Sequence, residues 1–154
     1  MPAWEFGKLN PLAIIDLVRH CDCLTAPFVG LPGLPMPDDL SDFYRHFGGA
    51  VFHANATYCF RICPPGLERS DFAVMGEDLG IPDSANWYAL GEFGDQVISI
   101  DLGQGPQFGY CYDSFWDSYP TADESTLIAR SFTELIKKVI ESKGERLFWV
   151  HGSL

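Results

Sequence analysis

The sequence predicts an α+β fold, a central and mostly antiparallel β-sheet with N-terminal helices and a C-terminal helix packed on it. Three observations carry this reading. Apolar residues recur at helical spacing only toward the two ends of the chain. Short β-rich runs fill the middle. Glycine and proline, 15 and 11 of 154 residues, cut the chain into many short elements. With 47% hydrophobic and 20% charged residues, the chain can bury a core and is read as one domain over residues 1–154.

Asn10 is a good N-cap and Pro11 suits the first helical position, where its missing N–H costs nothing. Leu12, Ile15, Leu17, Val18 and Cys21 then recur at roughly helical spacing, and Ala26-Pro27 bounds the helix. Residues 28–37, FVGLPGLPMP, form a turn-rich connector. Leu40, Phe43, Tyr44 and Phe47 make one apolar stripe of a second helix. Asp38 and Asp39 sit in its first turn, Arg45 and His46 near its end, and Gly48-Gly49 is expected to stop it. AVFH at 50–53 and TYCFRIC at 57–63 predict a hairpin, closed off by Pro64-Pro65-Gly66. Residues 67–86 are read as a short helix and loop. Strands at Trp87–Leu90, Val97–Leu102 and Gln107–Asp113 form a meander, its first turn at Gly91–Asp95. Ser131-Phe132-Thr133-Glu134 is a capping box, and Phe132, Leu135, Ile136, Val139 and Ile140 are the buried stripe behind it. Gly144 ends that helix, and LFWV at 147–150 predicts a last strand.

Charge narrows the partners. The net charge is −11, and no Lys or Arg occurs from Asp71 to Ala129, a stretch with eleven acids. Phosphate neutralisation needs cations, so nucleic acid is not an expected partner, whereas a basic protein is. Exposed apolar anchors such as Phe115 and Trp116, with Asp83, Glu92, Asp113 and Asp117, are the expected contact residues. Solubility alone is the other use of such charge. No stretch has the length and apolarity of a membrane span or the pattern of a signal peptide, so cytoplasmic residence is expected. Five irregularly spaced cysteines are read as buried thiols.

Chemistry finds little support. Gly103-Gln104-Gly105 lacks the third glycine of a dinucleotide loop, since Phe108 stands there, and a strand follows where a helix is required. Asp95 and Asp101 lie about 20 Å apart on an extended strand, too far to share one ion. His20-Cys21-Asp22-Cys23 and the Cys59/Cys63 pair meet no standard zinc spacing. No G-x-S-x-G occurs. No metal, cofactor or catalytic residue is expected, and the chain is not read as an enzyme.

Three blocks, in order, resemble one family. Pro37-Asp38-Asp39-Leu40 through Phe47-Gly48-Gly49 is similar to the helix-and-glycine motif of the SUKH superfamily. Trp87–Gly91, Gly94-Asp95 and Ile98–Leu102 resemble its "W…IG…GD-x-I-x-ID" core. Ile128–Ile136 resembles its "IA-x-SF-x-E" helix start. Gly48-Gly49 replaces the Asn-Gly of many members, and neither the cysteine-rich first helix nor the C-terminal LFWVHG matches the pattern. The resemblance implies an α+β fold and binding rather than catalysis. Members are related to bacterial toxin-immunity proteins and to a yeast cell-wall-synthesis regulator. It therefore implies an immunity protein that neutralises a basic, nuclease-type toxin, or else an intracellular regulatory scaffold. Trp87, Gly94, Asp95, Asp101, Ser131, Phe132 and Glu134 are the motif positions to which a structural role is assigned, Asp95 and Asp101 holding turns.

Overall fold

The computed structural model of the protein describes residues 11–31, 33–94, 96–114, 119 and 126–149. In chain order the elements are α1 (Pro11–Arg19), β1 (Cys23–Pro27), α2 (Asp38–His46), β2 (Phe47–Phe52), β3 (Phe60–Ile62), α3 (Ser70–Met75), β4 (Trp87–Phe93), β5 (Gln96–Asp101), β6 (Cys111–Asp113), β7 (Leu127–Ala129) and α4 (Phe132–Ser142). The seven strands form one sheet in the order β1 to β7, every neighbouring pair antiparallel. This is the α+β architecture that the pattern predicts.

Helices α1, α2 and α4 pack together on one face. Ile14 and Val18 of α1, Leu40, Phe43 and Tyr44 of α2, and Phe132, Leu135, Ile136 and Val139 of α4 meet Phe52, Phe60, Ile62, Leu90, Ile98 and Ile100 of the sheet. Phe43 lies at the middle, 5.3 Å from the Tyr44 and Phe47 rings and 5.4 Å from Phe132. The Tyr44 hydroxyl donates to the Cys63 carbonyl at 2.7 Å. Burial, and secondarily Cys63, raises its pKa far above the usual phenol value, so it stays a donor. Asp39 does more than favour its own helix end. Its Oδ1 accepts from the Leu40 N–H at 2.9 Å, and its Oδ2 accepts from the Thr133 N–H and hydroxyl, each at 2.8 Å. One buried carboxylate thus satisfies the first turns of two helices.

The structure corrects several expectations. The first helix ends at Arg19, because the chain leaves it to pair with β2: the Asp22 carbonyl accepts from the His53 N–H at 2.9 Å, and Cys23–Pro27 form β1. Gly48-Gly49 does not stop α2. Phe47 already has extended dihedrals, and both glycines lie inside β2. A Cβ at Gly48 would collide with the Pro27 carbonyl and press on the Val29 methyls at 3.2 Å, so glycine here serves close strand approach. The strand predicted from Trp87 to Leu90 runs on to Phe93, and the third meander strand is shortened to Cys111–Asp113 by turns over residues 103–109. Leu147, Phe148 and Trp149 form no strand. Trp149 instead packs on Phe93 at 5.2 Å and donates to Asp113. Asn10, Asp95, Phe115, Trp116, Asp117 and Val150 lie outside the described residues.

Candidate docking surface

Directly opposed residues of an antiparallel pair share a face. The register therefore places Leu24, Val51, Arg61, Glu92 and Val97 in one row across the face turned away from α1, α2 and α4. Ala89, Ser99 and Tyr112 form a second row, and Trp87 pairs with Asp101. Helix α3 and the loop after it cover only part of this face.

The covered part has its own small core. Trp87 stacks on Tyr112 at 4.4 Å and 13°, and Tyr119 meets it edge-on at 6.1 Å. Beside these rings lies Asp71, fully buried at the start of α3. Its carboxylate accepts from the Ser84 hydroxyl at 2.9 Å, the Leu79 N–H at 3.0 Å and the Tyr119 hydroxyl. Arg69 approaches it at 3.3 Å and reaches Asp78 at 3.4 Å. Burial first, then the bond to Asp71, raises the Tyr119 pKa well above normal, so this phenol holds its proton. Ser70, Ser99 and Ser114 form a buried hydroxyl chain from α3 across β5.

Of the expected contact acids, the three described, Asp83, Glu92 and Asp113, lie apart from one another. Asp83 is exposed in the loop between α3 and β4, the segment that also holds exposed Glu77 and Asp78. Tyr112 has its pKa raised chiefly by burial, then by the charges of Asp101, Tyr110, Cys111 and Asp83. Glu92 lies at the other end of β4, ion-paired to Arg61. From Trp87 to Phe93 this is a separation of roughly 20 Å along the strand. Asp113 is not a loop acid. It is buried on β6, where Gln96 Nε2 donates to both its oxygens at 2.6 and 2.7 Å and Trp149 Nε1 donates at 2.7 Å. A polar residue at the end of a β-strand gave no warning of this, because its partners lie 17 and 36 positions away. The acidic stretch is also less isolated in space than in sequence. Arg61 and Arg69 precede it in the chain, yet each binds its carboxylates.

Motif residues do local work. Asp101 Oδ1 accepts from the Gly103 N–H at 2.8 Å and holds the β5–β6 turn. Partial burial raises its pKa, and that N–H and Trp87 pull it back. Gly103-Gln104-Gly105 lies inside this turn, with the Gly105 N–H on the Gly103 carbonyl at 2.9 Å. Gly94, at φ +59, turns the chain between β4 and β5 where a side chain would strain it. Ser131 accepts from the Glu134 N–H at 3.0 Å. Glu134 reaches back to the Arg130 N–H at 3.3 Å, one residue before the cap, and pairs with Lys138 at 3.3 Å. Phe132 is fully buried.

Among the described residues, no three His, Cys, Asp or Glu side chains converge to hold a metal, and no helix is long and apolar enough to cross a membrane. The cysteines are free, but only Cys111 is buried outright, the other four being half-buried, which corrects the sequence reading. Four of them are poor nucleophiles: burial pushes Cys23 up to about 12, raises Cys21 and Cys63, and raises Cys111 furthest. What the open part of this face offers is shape. A cleft of about 430 Å³ runs between α3 and Glu92, lined by Leu67, Ala73, Ala89 and Val97 among others. A groove of about 280 Å³ adjoins it over Gly48 and Gly49. The arrangement is suited to contact with another macromolecule, with a charged pair standing between two shallow apolar floors.

Over 145 residues the chain is 36% identical to "Immunity protein YokJ" of Bacillus subtilis (strain 168), an alignment covering 90% of this chain and 87% of that protein. The chain belongs to the SUKH superfamily. No protein-family model matches it, and no solved structure matches it. Of the three SUKH blocks read from the sequence, the first spans α2 and the start of β2, the second spans β4 and β5, and the third is β7 with the capped start of α4. What the SUKH reading of Ile128–Ile136 lacked was the strand: Leu127–Ala129 pairs with β6 before the helix begins.

Proposed function

We infer that this SUKH chain is an immunity protein that neutralises a cognate toxin by tight association and performs no catalysis of its own. The observation that carries this is the identity along nearly the whole chain to a protein that bears the immunity name. The partner is a basic, nuclease-type toxin domain, met in the cytoplasm. A nuclease presents cations to its substrate, and an acidic protein can occupy the same cations. The chain's net charge of −11 supports this, with exposed Glu77, Asp78 and Asp83 at one end of the second face and Glu92 toward the other. Nucleic acid and membranes are not partners in this reading.

Co-expression with toxin domains encoded beside its gene tests the first step: one of them is expected to be rescued, and rescue by none would sink the immunity reading. Stopped-flow association tests the acidic face. The association rate is expected to fall steeply as salt shortens the Debye length from about 30 Å at 0.01 M to about 8 Å at 0.15 M. Reversals at Glu77, Asp83 and Glu92 are expected to slow association more than they speed dissociation. Rates indifferent to salt and to those reversals would move the contact to apolar anchors such as Phe115 and Trp116. Asp113→Lys is unsuitable here, since it would break a buried network.

A further inference from the structure

Strand β1 is the outermost strand at its side of the sheet among the described residues. It and the segment after it carry the most exposed large apolar side chains described: Leu24 at 66%, Phe28 at 52%, Val29 at 67% and Leu31 at 58%. From Cys23 to Pro37 the chain runs fifteen residues without Asp, Glu, Lys, Arg or His. In a molecule of net charge −11, the carboxylate beside this surface is that of Asp22, just before β1 and 3.5 Å from His53, so a second acidic molecule meets little like charge here. A basic partner drawn by acidic charge has little to recognise here.

The ladder decides which backbone groups face outward. The Asp22 carbonyl is bound to the His53 N–H, and Leu24 pairs with Val51. Alternation then turns the N–H and C=O of Cys23 and Thr25 toward the outside. Pro27 has no N–H and ends the strand, so any pairing here is short.

We propose that β1 is the contact between two copies of this chain, paired edge to edge about a two-fold axis at Leu24. Cys23 and Thr25 of one copy exchange backbone hydrogen bonds with Thr25 and Cys23 of the other. Leu24 faces its own counterpart, and Phe28, Val29 and Leu31 extend the apolar contact at both ends. The pairing is self-complementary and therefore closes at two copies, while Pro27 keeps the edge from templating a longer ladder. The inference does not depend on the immunity function.

Sedimentation of the full chain from about 1 to 500 µM tests it, a range suited to a contact at the small end of specific interfaces. A monomer–dimer equilibrium is expected, and Leu24→Lys is expected to weaken it at least about tenfold, roughly 1.4 kcal/mol. That side chain is mostly exposed, so an unchanged far-UV circular dichroism spectrum is expected with it. Opposed Cβ atoms in such a pair are about 4.5–5.5 Å apart, so Leu24→Cys should form an interchain 24–24 disulfide on oxidation, read by peptide mass spectrometry. Glu141→Cys, exposed on α4, should not link to its counterpart. A chain that stays monomeric over this range overturns the proposal, whether residues 1–10 or a toxin segment take the edge instead. A dimer that tolerates Leu24→Lys, or that links at position 141 as readily as at 24, overturns it as well.

Discussion

Helices α1, α2 and α4 cover one face of the sheet with side chains that are mostly apolar, the Asp39–Thr133 link apart, whereas α3 and Tyr119 cover part of the other with hydroxyls and a carboxylate, over the stacked Trp87 and Tyr112 rings of the sheet. On the first face, stability grows with the area removed from water and any well-shaped apolar residue serves. On the second, each buried oxygen must find its donor, so the parts are less exchangeable. The first face resists substitution by volume and the second by geometry. It is also the second face that stays partly open, with Arg61 and Glu92 standing in the gap.

Substitutions can break that contrast or sharpen it. Leu135→Ala should have the largest effect, about 2–5 kcal/mol in a denaturant melt, because the fully buried leucine leaves a cavity among three helices. A neutral result would mean that the helix-covered face is loosely packed. Asp71→Ala should cost about 2–3 kcal/mol by removing the acceptor of the Ser84 and Tyr119 hydroxyls and of the Leu79 N–H. Asp71→Asn keeps one acceptor oxygen and should cost clearly less. Equal losses in the two variants would show that charge, not donor geometry, governs the second face. Ser131→Ala should cost about 1 kcal/mol by uncapping α4.

The smallest effect concerns Asp101, whose folded pKa is raised by burial. Raising the folded value means that the protonated form is favoured by folding. That stability is fully present below the unfolded carboxylate pKa and is lost as pH rises through the folded one. Asp101→Asn keeps an oxygen for the Gly103 N–H and removes the charge. It should leave stability at pH 7 equal to or above that of the parent and flatten the pH dependence above pH 4. A clear loss at pH 7 would mean that the ionised form is the one the turn requires.

The sequence reveals those parts of the fold whose causes are local. Helix α2 shows its stripe, and α4 shows its cap, stripe and stop, all within about a dozen neighbouring residues. Strands β1 and β7 are five and three residues long, and pairing rather than pattern makes them strands. Tertiary contact overrode the glycines at 48 and 49, which read as a helix stop and serve as a strand crossing. The acidic stretch was legible as a count and illegible as a surface. Asp71 and Asp113 are drawn inward by donors far away in sequence, and two arginines from outside the stretch come to its carboxylates. Chain order carries no record of such visits.

Asp39 joins residues 94 positions apart when it caps α4 through Thr133. A ribosome adding about 5–20 residues per second needs roughly 5–20 s to bring the second residue out after the first. Throughout that interval α2 exists without the two Thr133 donors its carboxylate will bind, and the three-helix layer has no third member. Completion of the helix-covered core therefore waits until α4 has been made. A cell that needs this protein folded must begin making it some seconds ahead of the need, and a nascent chain cut short before Phe132 lacks the helix that covers part of the sheet's apolar face.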